Sequence, residues 1–361
     1  MKNTIEFYNS KIDEFKNLKQ KNPSFKFADF KKDNSEPAKI KWSSSLENYF
    51  QKSEKFQKFE KVNFKAENIY KSCYRPFTKS NLYLDVKFTE RLSQKSKSFP
   101  EPDTKNLMIC VSSSSKNFST LITDKVTDIH FMGDTQCFPL YYYNSELDFS
   151  KWQHIDNKKK LAKHEAVSDY ILNLARRYYS DKIQKIDIFY YVYGFLHSNE
   201  YKNNFANDLK KSLPRIPLLE NEEEFWKFSK AGRDLADLHL NYENQIPLEN
   251  IKVLGDNGNY YVKKMKFANK DKSKIIFNED ITIENIPPEA YEYIINGKSA
   301  IEWIMDRYQI KTDKDSQIKN DPNDWCEENN SPKYILNLLL SVITLSVKTI
   351  DIVKNLPKIE F

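Results

Sequence analysis

Three side chains able to bind phosphates or base edges stand within seven residues in the stretch CYRPFTKSN, at Arg75, Lys79 and Asn81. Arginine and lysine neutralise phosphates, and arginine, lysine and asparagine also hydrogen-bond to base edges. Pro76 restricts the backbone between them, and the aromatic residues beside it could anchor a turn. The pattern is typical of a surface that meets a polyanion. A packed corner with one internal ion pair is the plainer interpretation of the same residues.

Residues for other kinds of chemistry are not arranged in recognisable motifs. The four cysteines are far apart and the five histidines lack the spacing of metal ligands. The full Gly-x-x-x-x-Gly-Lys-Ser/Thr of a P-loop does not occur, because Glu292 stands at the position of its first glycine before Gly297-Lys298-Ser299, and the Gly-x-Ser-x-Gly of a hydrolase is absent too. NIPPEAY differs from the Asn-Pro-Pro-Tyr of amino-methyltransferases by the insertion of Ile286 and by Glu289 at the aromatic position. We therefore expect no catalytic residue and no metal site in this chain.

Composition and charge limit the class of protein. The 361 residues are 39% hydrophobic and 14% aromatic, enough to bury a substantial core. The net charge is +6, and the lysines are concentrated in residues 1–130, which permits a nucleic-acid partner without requiring one. The start of the chain is polar, and the longest apolar run, residues 334–347, is shorter than the roughly 20 residues of a membrane helix. We expect a cytoplasmic protein with reduced thiols and no membrane partner.

The hydrophobic pattern predicts an α+β fold. An amphipathic helix is expected in residues 1–20, and short runs rich in Val, Ile, Tyr, Phe and Thr predict a small, mostly antiparallel sheet over residues 69–145. Helical spacing then dominates, with a small β insertion near residues 250–285. We predict a β-rich part over residues 1–150 and a mainly helical part over residues 151–361.

Several segments occur in one order along the chain. They are KIKWSSSLENYF, YRPFTKSNLYLD, TDKVTDIHF, FPLYYY, DIFYYVYGFLHSNEYKNNFANDLKKSLPRIPL, FSKAGRDLADLHL and YIINGKSAIEWIMDRYQI. From about residue 5 to its end, the chain resembles the C-terminal region of Type ISP restriction-modification enzymes. These single-chain proteins join nuclease, helicase-like ATPase, adenine-N6 methyltransferase and target-recognition modules. Where that family usually has a second basic residue and a Gly-Gly pair, this sequence has Ser80-Asn81 and Asn296-Gly297.

The resemblance implies a target-recognition module that holds double-stranded DNA while a methyltransferase extracts an adenine. The methyltransferase, helicase and nuclease portions would precede residue 1 and would act in cis or as separate subunits. S-adenosylmethionine would bind only there, so no cofactor is expected in this chain. Lysines would hold phosphates, and side chains on loops and strand ends would read bases. Our candidates for DNA contacts are Lys41, Arg75, Lys79, Asn81, Arg91, Lys116 and Lys125.

Two alternatives remain open from the residues themselves. In the first, the chain is a protein–protein scaffold whose apolar C-terminal helix, residues 334–353, docks a partner, and its lysines only keep it in solution. The second alternative is a complete methyltransferase or nuclease with degenerate motifs. Binding of random duplex DNA at low salt separates the first alternative from a target-recognition module.

Overall fold

The computed structural model of this chain is described for the ranges 1–34, 46–51, 60–85, 87–89, 94–113, 118–144, 161–314 and 317–359. Among the candidates for DNA contacts, Lys41, Arg91 and Lys116 lie outside these ranges. Contacts divide the chain into two compact units. The first unit is Met1–Lys71, Asn81–Thr104 and Thr312–Asn320. The second unit is Ser72–Ser80, Lys105–Lys311 and Asp321–Phe361. The boundary that we predicted near residue 150 falls outside the described ranges and stays a prediction.

The first unit is built around an aromatic cluster. Its helices are α1 (Lys2–Lys21), α2 (Phe27–Asp33), a helical segment at residues 46–51, a 3-10 turn (Ala66–Asn68) and α3 (Lys95–Ser98). Helix α1 buries Ile5, Tyr8, Ile12 and Phe15 at helical spacing, which confirms the predicted amphipathic helix. The Phe15 ring lies 5.1 Å from that of Phe30 and 6.1 Å from that of Phe50. Such tilted ring contacts add to the free energy of burial.

A β-hairpin contributes residues to both units. Its strands are β1 (Ile69–Arg75) and β2 (Thr78–Tyr83), and its tip, residues 72–80, belongs to the second unit. Strand β1 also pairs with β5 (Val126–Thr127), so the strand order is β2-β1-β5. The β1–β5 pair is parallel, whereas the sequence predicted a mostly antiparallel sheet.

The remaining strands before residue 166 are antiparallel, as predicted. They are β3 (Met108–Ser113), β4 (Thr120–Thr123), β6 (Asp134–Pro139), β7 (Tyr141–Asn144) and β8 (Ala162–Glu165). Strands β4, β3 and β6 form one sheet, and β7 and β8 form another. One face of the first sheet contributes Ile109, Val111 and Ile122 to the hydrophobic core of the helices. Packing against the helices that follow in sequence thus fixes which side chains of these strands point into the core.

The described second unit also contains seven helices. They are α4 (Asp169–Tyr178), α5 (Lys185–Phe195), α6 (Asn199–Asn204), α7 (Glu222–Leu240), α8 (Ala300–Arg307), α9 (Pro322–Glu328) and α10 (Tyr334–Lys354). Helices α5 and α7 cross where both carry a glycine. A Cβ at Gly194 would collide with the carbonyl of Phe228, and one at Gly232 with the carbonyl of Tyr190. The two glycines therefore permit backbone contact that no other residue allows at this crossing.

Helix α10 is the most apolar element. Its length and composition are those of a membrane span, but 67% of its most apolar window is buried inside the structure. It packs against α7, α8 and a 3-10 turn at Pro288–Tyr291. This segment is therefore part of the helical core of its own chain.

The predicted β insertion is present in the second unit. It is a four-stranded antiparallel sheet, which we call the insertion sheet: β9 (Lys252–Leu254), β10 (Lys266–Phe267), β11 (Ile275–Ile276) and β12 (Thr282–Glu284), in the order β10-β11-β12-β9. Two short pairs follow: β13 (Ile294–Ile295) with β14 (Lys298–Ser299), and β15 (Lys311–Thr312) with β16 (Lys319–Asn320). Asn296 and Gly297, with φ of 47° and 81°, make the turn between β13 and β14. The predicted α+β fold is confirmed.

Candidate nucleic-acid interface

The corner at the hairpin tip is a buried anchor. Phe77 has φ of 56°, a left-handed conformation that a bulky residue rarely adopts. Its side chain is only 3% exposed, and its ring meets that of Tyr242 edge to face at 5.3 Å. The Tyr308 hydroxyl donates a hydrogen bond of 3.3 Å to the Phe77 carbonyl. Because Pro76 fixes φ near −65° at the preceding position, the strained conformation falls on Phe77, where burial offsets it.

Arg75 is held beside this corner by an internal ion pair. Its Nη1 donates to Asp128 Oδ1 at 2.7 Å and to the Tyr74 carbonyl at 2.5 Å. The guanidinium carbon also lies 4.0 Å from the centre of the Tyr74 ring, in a cation–π arrangement. The Arg75 side chain is 18% exposed, whereas Tyr74 is 40% exposed. Tyr74 is thus a surface residue that covers the guanidinium.

Lys79 and Lys125 also have carboxylate partners within the second unit. Lys79 Nζ lies 2.5 Å from Glu243 Oε2 and 4.9 Å from the centre of the Tyr242 ring. Lys125 Nζ lies 2.6 Å from Oδ2 of its neighbour Asp124. All three predicted cations that the structure describes are therefore partly neutralised by acids of the same unit.

Asn81 differs from these three cations. It lies in the part of β2 that belongs to the first unit, and it is exposed. Its carboxamide makes no hydrogen bond to another described residue, so both its donor and its acceptor face solvent.

Arg75 and Lys125 lie at opposite ends of β5, since Arg75 binds the residue after that strand and Lys125 precedes it.

A narrow cleft lies behind the hairpin tip, and burial moves the pKa values of its cysteine and its histidine away from neutral pH. It is lined by Cys73, Phe77, Lys79, Leu121, Ile122, Thr123, Asp124, Phe131, His239, Leu240 and Tyr242. Burial raises the pKa of the Cys73 thiol to about 11, so it is protonated at neutral pH. Burial lowers the pKa of His239 well below its usual value and that of the neighbouring His197 to about 3. These histidines are neutral under ordinary conditions.

The buried histidines take part in a hydrogen-bond network between helices. His239 Nδ1 forms a hydrogen bond of 2.6 Å with the Tyr193 hydroxyl, and its Nε2 lies 3.0 Å from the Thr349 hydroxyl. His197 Nδ1 donates to the Tyr193 carbonyl at 2.8 Å. The network joins α5, α7 and α10, so it stabilises the helical core. Within the described ranges, no three His, Cys, Asp or Glu residues are grouped as they would be around a metal ion.

Sequence reasoning missed a second basic region, on the insertion sheet. Residues 252–274 carry seven lysines and two aspartates, and the whole insertion, residues 252–284, has a net charge of +2. Four of these lysines are exposed and form no ion pair with a described residue: Lys252, Lys264, Lys266 and Lys270. The sequence feature that indicates these lysines is the local excess of lysines over acidic residues. The larger concentration of lysines in residues 1–130 obscures this smaller one in the β insertion.

Comparison with protein families places the chain in a class. The family of Type ISP C-terminal specificity domains matches residues 1–338. The chain therefore belongs to this family, which confirms the resemblance seen in the sequence. No curated protein matches the chain.

Solved structures of similar proteins extend this result. The chain is similar to the ATP-dependent Type ISP restriction-modification enzyme LlaBIII bound to DNA, with 38% identity, a TM-score of 0.82 and coverage of 100% of this chain and 22% of that one. It is similar to a nuclease-deletion mutant of the Type ISP enzyme LlaGI in complex with a DNA substrate mimic, with 39% identity, a TM-score of 0.80 and coverage of 99% and 30%. A DrdV–DNA complex shows 25% identity and a TM-score of 0.79 over 100% of this chain and 33% of that one. The chain thus spans less than a third of the length of the first two proteins.

Proposed function

We propose that this chain is the module of a Type ISP restriction-modification enzyme that recognises a specific sequence in double-stranded DNA. The observation that carries the proposal is similarity over the whole chain, at 38% and 39% identity, to two Type ISP enzymes whose structures hold DNA or a DNA substrate mimic. Cytoplasmic location is part of the proposal.

In this proposal the chain supplies binding and orientation. Adenine methylation, translocation and cleavage belong to the parts of such enzymes that this chain does not span, and so does S-adenosylmethionine. Specificity comes from base-edge contacts, each of which discriminates by about 1–3 kcal/mol. Asn81 fits such a role because its carboxamide is exposed and makes no hydrogen bond to another described residue. An asparagine can bind adenine through two hydrogen bonds.

The ion-paired cations at the hairpin tip keep part of their hydrogen-bonding capacity. Both bonds of Arg75 use Nη1, and a guanidinium has five N–H donors, so others stay available to a phosphate or a base edge. The Lys79 amine has three donors, of which one is used by Glu243. Tertiary contacts fix the position of both side chains before DNA arrives, which lowers the entropic cost of binding.

The experiment is a salt series of duplex binding by the chain and by the variant Arg75→Ala/Lys79→Ala. We expect the variant to bind more weakly at low salt, with a salt slope smaller by about 1 for each phosphate that it no longer neutralises. The matched control is Lys227→Ala/Lys230→Ala on α7, since both of these exposed lysines are also ion-paired. Equal binding by the two variants would remove Arg75 and Lys79 from the interface. Failure of the unchanged chain to bind any duplex DNA at low salt would overturn the proposed function.

The scaffold alternative gains no support from the apolar C-terminal helix. Helix α10 is covered by α7, α8 and the 3-10 turn at Pro288–Tyr291 of its own chain. The face that was to dock a partner is therefore already used within the fold.

A further inference from the structure

We infer that the outer face of the insertion sheet and its adjoining turn bind the phosphate backbone of duplex DNA, through Lys252, Lys264, Lys266 and Lys270. The inference rests on the proposed function and adds a second contact region to it. None of these four lysines lies at the hairpin tip or in one of the segments that carry the family resemblance.

The insertion sheet has one buried and one exposed face. Residues paired across the four strands alternate between the two faces. On the inner face, Ile275 and Ile283 are fully buried. On the outer face, Lys266, Ile276, Thr282 and Leu254 are cross-strand neighbours in one row. Lys266, Ile276 and Leu254 are exposed, so this face is open to a ligand in the described structure.

The lysines of the outer face lie on both edge strands. Lys266 is on β10 and Lys252 is on β9, three inter-strand spacings of about 4.8 Å apart. Lys266 shares its row with Leu254, and Lys252 lies two residues further along β9, so the two backbone positions are about 16 Å apart. This distance is of the same order as the width of the major groove, about 12 Å, across which phosphates of the two DNA strands face each other. A lysine amine on a flexible stem suits such phosphates because it requires no fixed hydrogen-bond geometry.

The acids near the insertion sheet do not neutralise these four lysines. Glu284 stands opposite Lys252 in register, but its carboxylate lies 2.5 Å from the amine of Lys274. Other acids are paired with other lysines: Glu302 with Lys272 at 2.8 Å, Glu279 with Lys263 at 3.5 Å and Asp256 with Lys333 at 3.2 Å. Asp271 and Asp280 form hydrogen bonds to Ser273 and Asn259 but no ion pair with a described lysine, so they offset part of the positive charge. The four lysines, which form no ion pair with a described residue, still leave a positive excess on this surface, which attracts a polyanion.

The need to protect sheet edges from pairing with other chains explains only two of these four lysines. Lysines on edge strands prevent pairing with other chains, and Lys252 and Lys266 satisfy that rule. Lys264 precedes β10 and Lys270 lies in the turn after it, so neither belongs to a strand edge. DNA is favoured over an acidic protein surface because the proposed function already brings a duplex to this chain.

The test compares two variants with the same change of charge. The sheet variant replaces the four lysines by glutamine, and the control variant makes the same replacement at Lys210, Lys211, Lys227 and Lys230 in the helical part. We expect the sheet variant to lower the salt slope of duplex binding by about 3 to 4, since each phosphate contact contributes about 0.9. Affinity should fall equally for all DNA sequences, because phosphate contacts carry no sequence information.

Equal salt slopes for the two variants would overturn the inference while DNA binding by the unchanged chain still supported the proposed function. A second measurement does not depend on mutation: duplex DNA should protect the four lysines from acetylation, read by mass spectrometry, and should leave Lys210 and Lys211 reactive. Undiminished acetylation of the four lysines at saturating DNA would also overturn it, and an acidic protein surface would then be the better ligand for this face.

Discussion

The hairpin tip and the insertion sheet carry lysine and arginine in opposite settings. At the hairpin tip, Arg75 and Lys79 are paired with Asp128 and Glu243, and Phe77 fixes the corner in the core of the second unit. On the insertion sheet, Lys252 and Lys266 are exposed and form no ion pair with a described residue. The difference shows that a basic–aromatic sequence motif and a basic surface are distinct. The motif CYRPFTKSN forms a rigid corner. The basic surface of the insertion sheet, in contrast, consists of lysines that belong to no recognised motif.

The largest expected difference between the two regions is in their contribution to stability. We expect Phe77→Ala to lower the free energy of unfolding by about 3–5 kcal/mol, because it removes a buried ring that packs on Tyr242. Ile276→Ala, on the exposed face of the insertion sheet, should change it by no more than about 0.5 kcal/mol. Urea unfolding of both variants checks this. Similar decreases would mean that the hairpin tip is not the anchored region.

Acid should affect the hairpin side first, because the buried His239 lines the cleft behind Phe77 and Lys79. The pKa of His197 is lowered to about 3 and that of His239 is also lowered, so both stay neutral in the folded chain while they take up protons in the unfolded chain. Stability is therefore unaffected above about pH 6.5 and falls below it. At pH 5 the decrease is about 2 kcal/mol for His197, and His239 adds to it in the same direction.

Urea unfolding at pH 7.5 and pH 5.0 measures this decrease. The variant His197→Gln should be destabilised less by acid than the unchanged chain, and the matched variant His164→Gln, at an exposed position, should be destabilised as much. Residues 252–284 contain no histidine, so the protection factors for amide exchange in the insertion sheet should change less with pH than those in β1. If acid destabilised His197→Gln as much as it destabilises the unchanged chain, His197 would not be a source of the decrease.

The smallest expected difference is between two ion pairs. The Arg75–Asp128 pair is 2.7 Å long with side chains 18% and 35% exposed, and the Lys263–Glu279 pair of the insertion sheet is 3.5 Å long with side chains 74% and 85% exposed. Double-mutant cycles should give a coupling energy of about 1–2 kcal/mol for the first pair and below about 0.5 kcal/mol for the second. Equal coupling energies would show that solvent screens both pairs alike.

Much of the fold follows from local sequence patterns. The hydrophobic pattern predicts α1, the helices that dominate the later part of the chain and the small β insertion, and the structure confirms each of them. Of the aromatic residues in the segment DIFYYVYGF, Tyr191, Tyr193 and Phe195 are each at most 1% exposed, whereas Tyr190 is only partly buried. The order of segments along the chain also led to the family, which the match over residues 1–338 confirms. Periodicity and order are properties of the chain itself, so they can be read before folding.

The environment of the candidate side chains was decided only by the tertiary structure. The sequence indicates that Arg75 and Lys79 are cationic, but their partners lie 53 and 164 residues further along the chain. Likewise, nothing local predicts that Phe77 adopts a positive φ, since only the contacts of its buried ring offset that strain. The four lysines of the insertion sheet form no ion pair with a described residue because most nearby acids are ion-paired with other lysines. Ion pairing depends on distances between remote residues, and only the folded chain sets those distances.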